Sequence, residues 1–415
     1  MKLKLKDIFY YTRAFAVWAL MAIAVGAVCG VVGGAFAIVV EHATHLRQHT
    51  PWLPWLMPVA GLLIAGLYRL LKLPLSIGTD EIIKTVHTQE DVPLKMAPAI
   101  FLSTALTHLT GGSAGREGAA LQLGGSIGVA LSRLMKPMGD NHRNFQLCGM
   151  AALFSALFGT PLAATIFVIE ITEIGKINHR ALLPCLISAL TAKMVAVGIG
   201  APAEVFPLAS GLATTTWLTL LQAAGVGLAC GVMAVIFCHV MHLSGRYMRK
   251  AIPNDFLRIA FGGATVALVT MALHLQDYQG SGMHVILNAL QGQAAPEAFI
   301  LKVIFTALTL SVGFKGGEIV PSFFIGATMG CVVAPMIGLD PALGAGVGII
   351  AMFCGVTNGA LASMVLSVEL FGAEYLPLFG IACAVSYAMS GHVSLYHSQT
   401  FDEPKMGHRD AVEAA

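Results

Sequence analysis

Two Gly-rich stretches about 200 residues apart share one register. Gly115-Arg116-Glu117-Gly118 opens a run that meets Gly124 and Gly128, and Gly317-Glu318-Ile319-Val320-Pro321 opens a run that meets Gly326 and Gly330. From the leading Gly, each run places later glycines at +9 and +13. Glycine tolerates tight turns and close backbone approach, so each opening reads as a breaker before an apolar helix. The match continues downstream. Gly159-Thr160-Pro161-Leu162-Ala163 leads to Glu170, and Gly359-Ala360-Leu361-Ala362 leads to Glu369, with the same Leu-Ala to Glu spacing. Matches in the same order at nearly one offset indicate an internal duplication.

The duplicated chain belongs in a bilayer. Apolar residues make up 56 % and charged residues 11 %, against about a quarter charged in a soluble chain. Apolar segments run near 14–45, 53–72, 96–110, 117–135, 146–158, 161–174 and 181–199. The second half adds 214–248, 257–275, 298–313, 320–337, 344–357, 360–371 and 376–391. A span needs about 20 apolar residues, so the long segments must tilt. Segments cut short by Gly and Pro must be buried in protein or line a cavity. This unevenness predicts an all-α polytopic membrane protein with broken and tilted helices; the orientation of the duplicated halves is assumed to be inverted, the commoner case for midplane anion sites.

Residues 1–13 read as a cytoplasmic N-terminal segment, because Lys2, Lys4, Lys6 and Arg13 flank the first span. Residues 14–400 form one transmembrane transporter domain, with repeat halves at about 50–200 and 214–400, and 401–415 form a short loose tail. No cleavable signal is evident. The tandem glycines Gly26, Gly30 and Gly34, with Gly227 and Gly231, read as close helix packing. The eight Cys are scattered through apolar segments without a CxxC pair and read as small packing residues.

Broken helices offer chemistry. A helix N-terminus exposes unpaired N–H groups and a partial positive charge. Breaks at Gly78, Gly115 and Gly317 supply three such ends, able to hold a small anion without a full Lys or Arg charge. Glu117 stands at one of them, and a carboxylate in an apolar run is a functional candidate. Ionised, it can occupy the anion's position; protonated, it can swing away. It would then be both gate and proton carrier. Arg116 and Glu318 stand beside the site, Arg116 as a structural partner for an acid or for carbonyls. Asp80 and Glu81 read as helix-start acids facing away from the anion.

These motifs resemble the CLC family of anion channels and anion/proton antiporters. Its second signature, G-[KR]-E-G-x, stands as Gly115-Arg116-Glu117-Gly118-Ala119, and its third, G-x-F-x-P, is matched at Gly317 and Pro321. Gly78-Thr79-Asp80-Glu81-Ile82 replaces the first. Ser394-Leu395-Tyr396 matches the family's Tyr near the last helix, and the Gly-Gly-Glu form at Gly316-Gly317-Glu318 is similar to the fluoride/proton antiporter branch. The resemblance implies that Gly78, Thr79, Gly115, Gly317, Ile319, Val320 and Tyr396 bind the anion and that Glu117 gates it. It implies a homodimer with a pathway in each subunit, in the cell inner (plasma) membrane. Chloride/proton antiporters carry an inner proton-transfer Glu at the place of Ile171. Its absence fits a fluoride/proton antiporter, and also a chloride exchanger or passive chloride channel of this fold.

Other activities lack their residues. His42 and His45 do not form an HExxH pair, no His–Cys cluster marks a metal, and Gly175-Lys176 continues with Ile177 rather than a P-loop Ser or Thr. No catalytic dyad supports an enzyme. The expected partners are a small anion, fluoride or chloride, together with protons and the lipid bilayer. Nucleic acid, a cofactor and a metal are not expected.

Overall fold

A computed structural model describes residues 5–88, 90–135, 142–202, 204–401 and 405. Among them are sixteen α-helices, eight in each half. The first eight are α1 (Leu5–His49), α2 (Met57–Leu70), α3 (Thr79–Thr88), α4 (Met96–Leu109), α5 (Glu117–Met135), α6 (His142–Phe158), α7 (Pro161–Glu170) and α8 (His179–Gly198). The second eight are α9 (Trp217–Ala251), α10 (Asp255–Ala272), α11 (Met283–Ala289), α12 (Ala298–Ser311), α13 (Ile319–Met336), α14 (Pro341–Thr357), α15 (Ala360–Phe371) and α16 (Leu376–Met389). Six helices are long and apolar enough to cross a membrane. The 45 residues of α1 span about 68 Å.

The structure departs from the expected segments in three ways. First, α1 is helical from Leu5, so residues 5–13 belong to that helix. Lys2 and Lys4 fall outside the described residues. Second, α11 is absent from the expected segments, and α3 was expected only as a helix start at the Gly78 break, because neither is an apolar run. Third, the segment 161–174 ends as helix at Glu170, and the strand β1 (Glu173–Ile174) pairs in parallel with β2 (Thr400–Phe401). The start of the expected loose tail is thereby tied down. Beyond it, Lys405 donates to Tyr387 O at 3.0 Å and Ser390 Oγ at 3.1 Å; positions 402–404 and 406–415 lie outside the described residues.

The repeated glycines are helix contacts. A Cβ at Gly124 would lie 2.2 Å from Gly149 O, and one at Gly128 would lie 2.3 Å from Phe145 O, so α5 and α6 touch backbone to backbone. The +9 and +13 mates do the same between α13 and α14, where a Cβ at Gly326 would meet Gly348 O at 2.3 Å and one at Gly330 would meet Gly344 O at 2.1 Å. Small residues permit such approach in a bilayer, where dispersion and close packing drive association. The tandem glycines act likewise: Gly26 and Gly30 of α1 abut Ser188 O and Ala192 O of α8, and Gly227 of α9 abuts Ala382 O of α16.

The halves are joined by reciprocal bonds. Ser113 N donates to Thr309 Oγ1 at 3.1 Å, and Lys315 N donates to Thr107 Oγ1 at 3.3 Å. At the far side, α7 and α15 run antiparallel and each ends in a Glu that caps the other's start. Glu170 accepts from Leu361 N at 3.0 Å and Ala362 N at 2.8 Å. Glu369 accepts from Leu162 N at 3.1 Å and Ala163 N at 2.7 Å. Each carboxylate meets the positive end of a helix, where two otherwise unpaired N–H groups need acceptors. The linker between the halves is anchored as well: Leu212 N donates to Tyr375 Oη at 2.8 Å, and the Phe206 ring sits 6.0 Å from Phe323 of α13.

Two outcomes are expected. Gly348→Ala drives a methyl to 2.0 Å from Gly326 O. Such overpacking costs about 1–3 kcal/mol and lowers the thermal unfolding midpoint in detergent. Gly66→Ala, with nothing within 4 Å of the new methyl, leaves the midpoint unchanged or raises it. A Gly348→Ala protein as stable as its parent contradicts the backbone-contact account. Glu170→Gln removes the charge from two capping bonds and costs about 1–3 kcal/mol, to be read as lower folded yield and midpoint. Glu170→Gln protein with normal stability but lost proton movement would instead assign Glu170 to transport.

Candidate functional site

The two Gly-rich openings meet. Gly115 N donates to Gly317 O at 2.7 Å, and Gly317 N donates to Gly115 O at 2.8 Å. This antiparallel bridge sets the starts of α5 and α13 side by side. Side chains are excluded there: a Cβ at Gly317 would lie 2.4 Å from Gly118 N, and one at Gly115 would lie 2.3 Å from Glu117 Oε2 and 3.1 Å from Pro321 Cδ. The short helix α3 points its start at the same place, with Gly78 just before it and Thr79 as its first residue. All three expected breaks therefore stand at helix starts.

Glu117 opens α5 and is 1 % exposed. Its Oε2 accepts from Arg116 N at 2.9 Å, and its Oε1 is buried with no hydrogen-bond partner. An unpaired carboxylate oxygen in an apolar interior is costly, so this atom calls for a proton or a donor that arrives during function. Three more buried polar atoms nearby lack partners: Glu318 Oε2, Gln122 Oε1 and Tyr396 Oη. A Cβ at Gly118 would contact Thr79 Oγ1 at 3.0 Å and Glu318 Oε2 at 3.3 Å, which places Thr79 and Glu318 on either side of the α5 start. Ile319 and Val320 begin α13, fully buried. Their N–H groups belong to the first turn, which has no intrahelical acceptors.

Thr79 differs from expectation as a donor. Its hydroxyl donates to Gly118 O at 3.1 Å and accepts from Gln122 Nε2 at 3.2 Å. The proton expected for the anion is committed to the backbone of α5. Gln122 was missed by sequence reasoning. Its signal was a lone amide in the apolar run that begins at Glu117. Asp80 has a positioning contact: its Oδ1 accepts from Ser398 N at 2.7 Å, which ties the Tyr396 segment to α3. Glu81 stays at the surface near Lys84, at 3.8 Å.

Arg116 pairs with the linker. Its Nη2 lies 3.0 Å from Glu204 Oε1, with both side chains about nine-tenths buried. Glu204 sits in the linker between the halves, where no motif announced it. The apolar wall is aromatic: Phe323 packs against Phe158 at 5.8 Å and against Phe353 at 5.5 Å. Ile171 is buried and carries no proton-accepting group. Among the described residues no cluster of His, Cys, Asp and Glu is placed to hold a metal ion.

Comparison with known proteins agrees with this geometry. Residues 60–391 match the family model described as voltage gated chloride channel. A chloride/fluoride channel protein of Pseudomonas syringae pv. tomato is 35 % identical over 397 residues, covering 94 % of this chain and 88 % of that one. The crystal structure of a CLC-type fluoride/proton antiporter superposes with TM-score 0.88 at 31 % identity, covering 97 % of this chain and all of that one. A slow cyanobacterial Cl-/H+ antiporter shares the fold, with TM-score 0.77 at 19 % identity over 90 % of this chain and 94 % of that one. With its paired helix starts, its Gly-Arg-Glu-Gly signature and these likenesses, the chain belongs to the CLC family of anion channels and anion/proton antiporters.

Proposed function

We propose that this protein is a secondary-active antiporter that exports fluoride in exchange for protons, with Glu117 as gate and proton carrier. The observation that carries the reading is the Glu117 carboxylate. It is buried at the start of α5, and Oε1 has no partner beside the Gly115–Gly317 bridge. An ionised Glu117 and a bound anion compete for the same N–H groups at the starts of α5 and α13. Protonation removes the charge and releases Glu117 from that place, so proton uptake and anion entry are linked by exclusion.

The anion is held by backbone N–H groups at Ile319 and Val320 and by the Tyr396 hydroxyl, which is buried without a partner. Gly78, Gly115 and Gly317 let the backbone come close. Thr79 acts through Gly118 and Gln122 rather than by direct donation. Glu318 must hold a proton, or face away, while an anion is present. Fluoride is small and strongly hydrated, so its site must replace water with closely placed donors; charge-assisted hydrogen bonds are roughly twice as strong as neutral ones. The Gly-Gly-Glu form of the third motif and the likeness to a CLC-type fluoride/proton antiporter support fluoride over chloride. The homodimer, the inner-membrane location and the cytoplasmic N-terminus belong to the same reading. A chloride/proton exchanger or a passive chloride channel is the alternative.

Two measurements in proteoliposomes test it. Glu117→Gln keeps the shape but cannot exchange a proton, so fluoride should no longer be driven uphill by a proton gradient. Uphill movement in that variant removes Glu117 from the carrier role. Fluoride efflux from vesicles loaded with both halides should exceed chloride efflux by about tenfold or more, a discrimination of at least about 1.4 kcal/mol. Equal rates, or faster chloride, transfer the chain to the alternative.

A further inference from the structure

The two halves differ at one matched turn. Gly159 directly follows α6 and stands three residues before Leu162, and Asn358 directly follows α14 and stands three residues before Leu361. Both adopt the left-handed conformation, with φ of 71° at Gly159 and 59° at Asn358. Glycine meets that backbone requirement without a Cβ penalty, so the first half shows what the turn alone asks for. The second half puts a side chain at this place and buries it completely.

The Asn358 carboxamide is used at both ends. Nδ2 donates to Val393 O at 3.2 Å and to Gln399 Oε1 at 3.3 Å. Oδ1 accepts from Ser390 Oγ at 3.4 Å and from the Lys405 ammonium. The ammonium on one side and the Val393 carbonyl on the other decide which way the amide faces. Val393 and Gln399 stand three residues before and three residues after Tyr396. The segment between them is laid along the end of α14: Leu395 N donates to Val356 O at 2.9 Å, and Gln399 Nε2 donates to Thr357 O at 2.7 Å. The Tyr396 side chain has no tie of this sort. It is buried, and Oη has no partner, so the hydroxyl is aimed by the backbone that carries it and by packing.

We infer that Asn358 is a positioning residue for the anion site: its carboxamide clamps the 393–399 segment on both flanks of Tyr396 and so holds the Tyr396 hydroxyl where the anion needs it. The inference rests on the reading of Tyr396 as an anion ligand given above. Asn358 does not touch the anion and acts through Tyr396. A purely conformational role at the turn makes a different prediction. Glycine adopts the left-handed conformation at least as readily as Asn, so on that account it replaces Asn358 without loss. On the positioning account the turn survives in the glycine variant and the site loosens, because two donated hydrogen bonds are gone.

The test uses the full chain in proteoliposomes, with a fluoride electrode reading flux against fluoride concentration. Asn358→Gly should raise the KM for fluoride about fivefold or more, the scale set by two lost hydrogen bonds. The same substitution in a Tyr396→Phe background should leave the KM within about twofold of Tyr396→Phe alone, because there is no hydroxyl left to misplace. An unchanged KM in Asn358→Gly overturns the proposal. An equal rise in both backgrounds also overturns it, since Asn358 would then act by some route other than the Tyr396 hydroxyl. If Asn358→Gly does not elute as folded protein, Gln399→Ala decides by the same pair of comparisons. It removes a partner of the amide from the segment itself and leaves the turn untouched. Tyr396→Phe alone separates the two ideas. If it leaves the KM unchanged, the hydroxyl is no ligand, and the reading of Tyr396 falls together with the role given to Asn358. If it raises the KM while Asn358→Gly does not, only the positioning role falls.

Discussion

The reciprocal pair of hydrogen bonds between Gly115 and Gly317 is the contact around which the two halves are arranged. A Cβ at Gly317 would strike Gly118 N, and one at Gly115 would strike the Glu117 carboxylate. The bridge satisfies four backbone groups that would otherwise be unpaired in an apolar interior, and it fixes the relation between the first turns of α5 and α13. Those turns carry unpaired N–H groups. The bridge therefore makes one shared electropositive place from two helix ends that lie about 200 residues apart in sequence.

Such a junction stands only if the helices behind it cannot slide. Backbone contacts at Gly124, Gly128, Gly149, Gly326, Gly330, Gly344 and Gly348 lock α5 to α6 and α13 to α14. The Thr107–Lys315 and Thr309–Ser113 bonds hold the loops from outside. The crossed caps of Glu170 and Glu369 hold the opposite edge, α7 against α15. All three sets of contacts are two-fold, as expected of an inverted repeat whose halves meet on a pseudo-symmetry axis.

Two interior lysines are held by loop carbonyls. Lys315 Nζ donates to Leu75 O at 2.6 Å and Ile77 O at 2.8 Å, just before α3. Lys302 Nζ donates to Gly280 O at 2.7 Å and Tyr278 O at 3.1 Å, just before α11. Each lysine is occupied by the carbonyls of a loop leading into a short helix.

Much of this was legible in the residues. The glycine register, the apolar runs and the Leu-Ala to Glu spacing determined a duplicated membrane fold, because backbone approach admits only glycine and a bilayer excludes charge. Glu117 stood out for the same reason, an acid where acids are costly. The tertiary structure decided what depends on partners far along the chain. The helices α3 and α11 are short and lack a continuous apolar run. Their place is set by the lysine-bound loops before them. The Thr79 hydroxyl finds Gly118 O, and Gln122 reaches Thr79. Asp80 found Ser398, more than 300 residues away. Glu204 sits in a linker without a motif and meets Arg116 only because folding lays that linker over it. Local pattern fixes which segments are helical and which residues are conspicuous, whereas the use of each polar atom is settled by whatever the fold brings within hydrogen-bond reach.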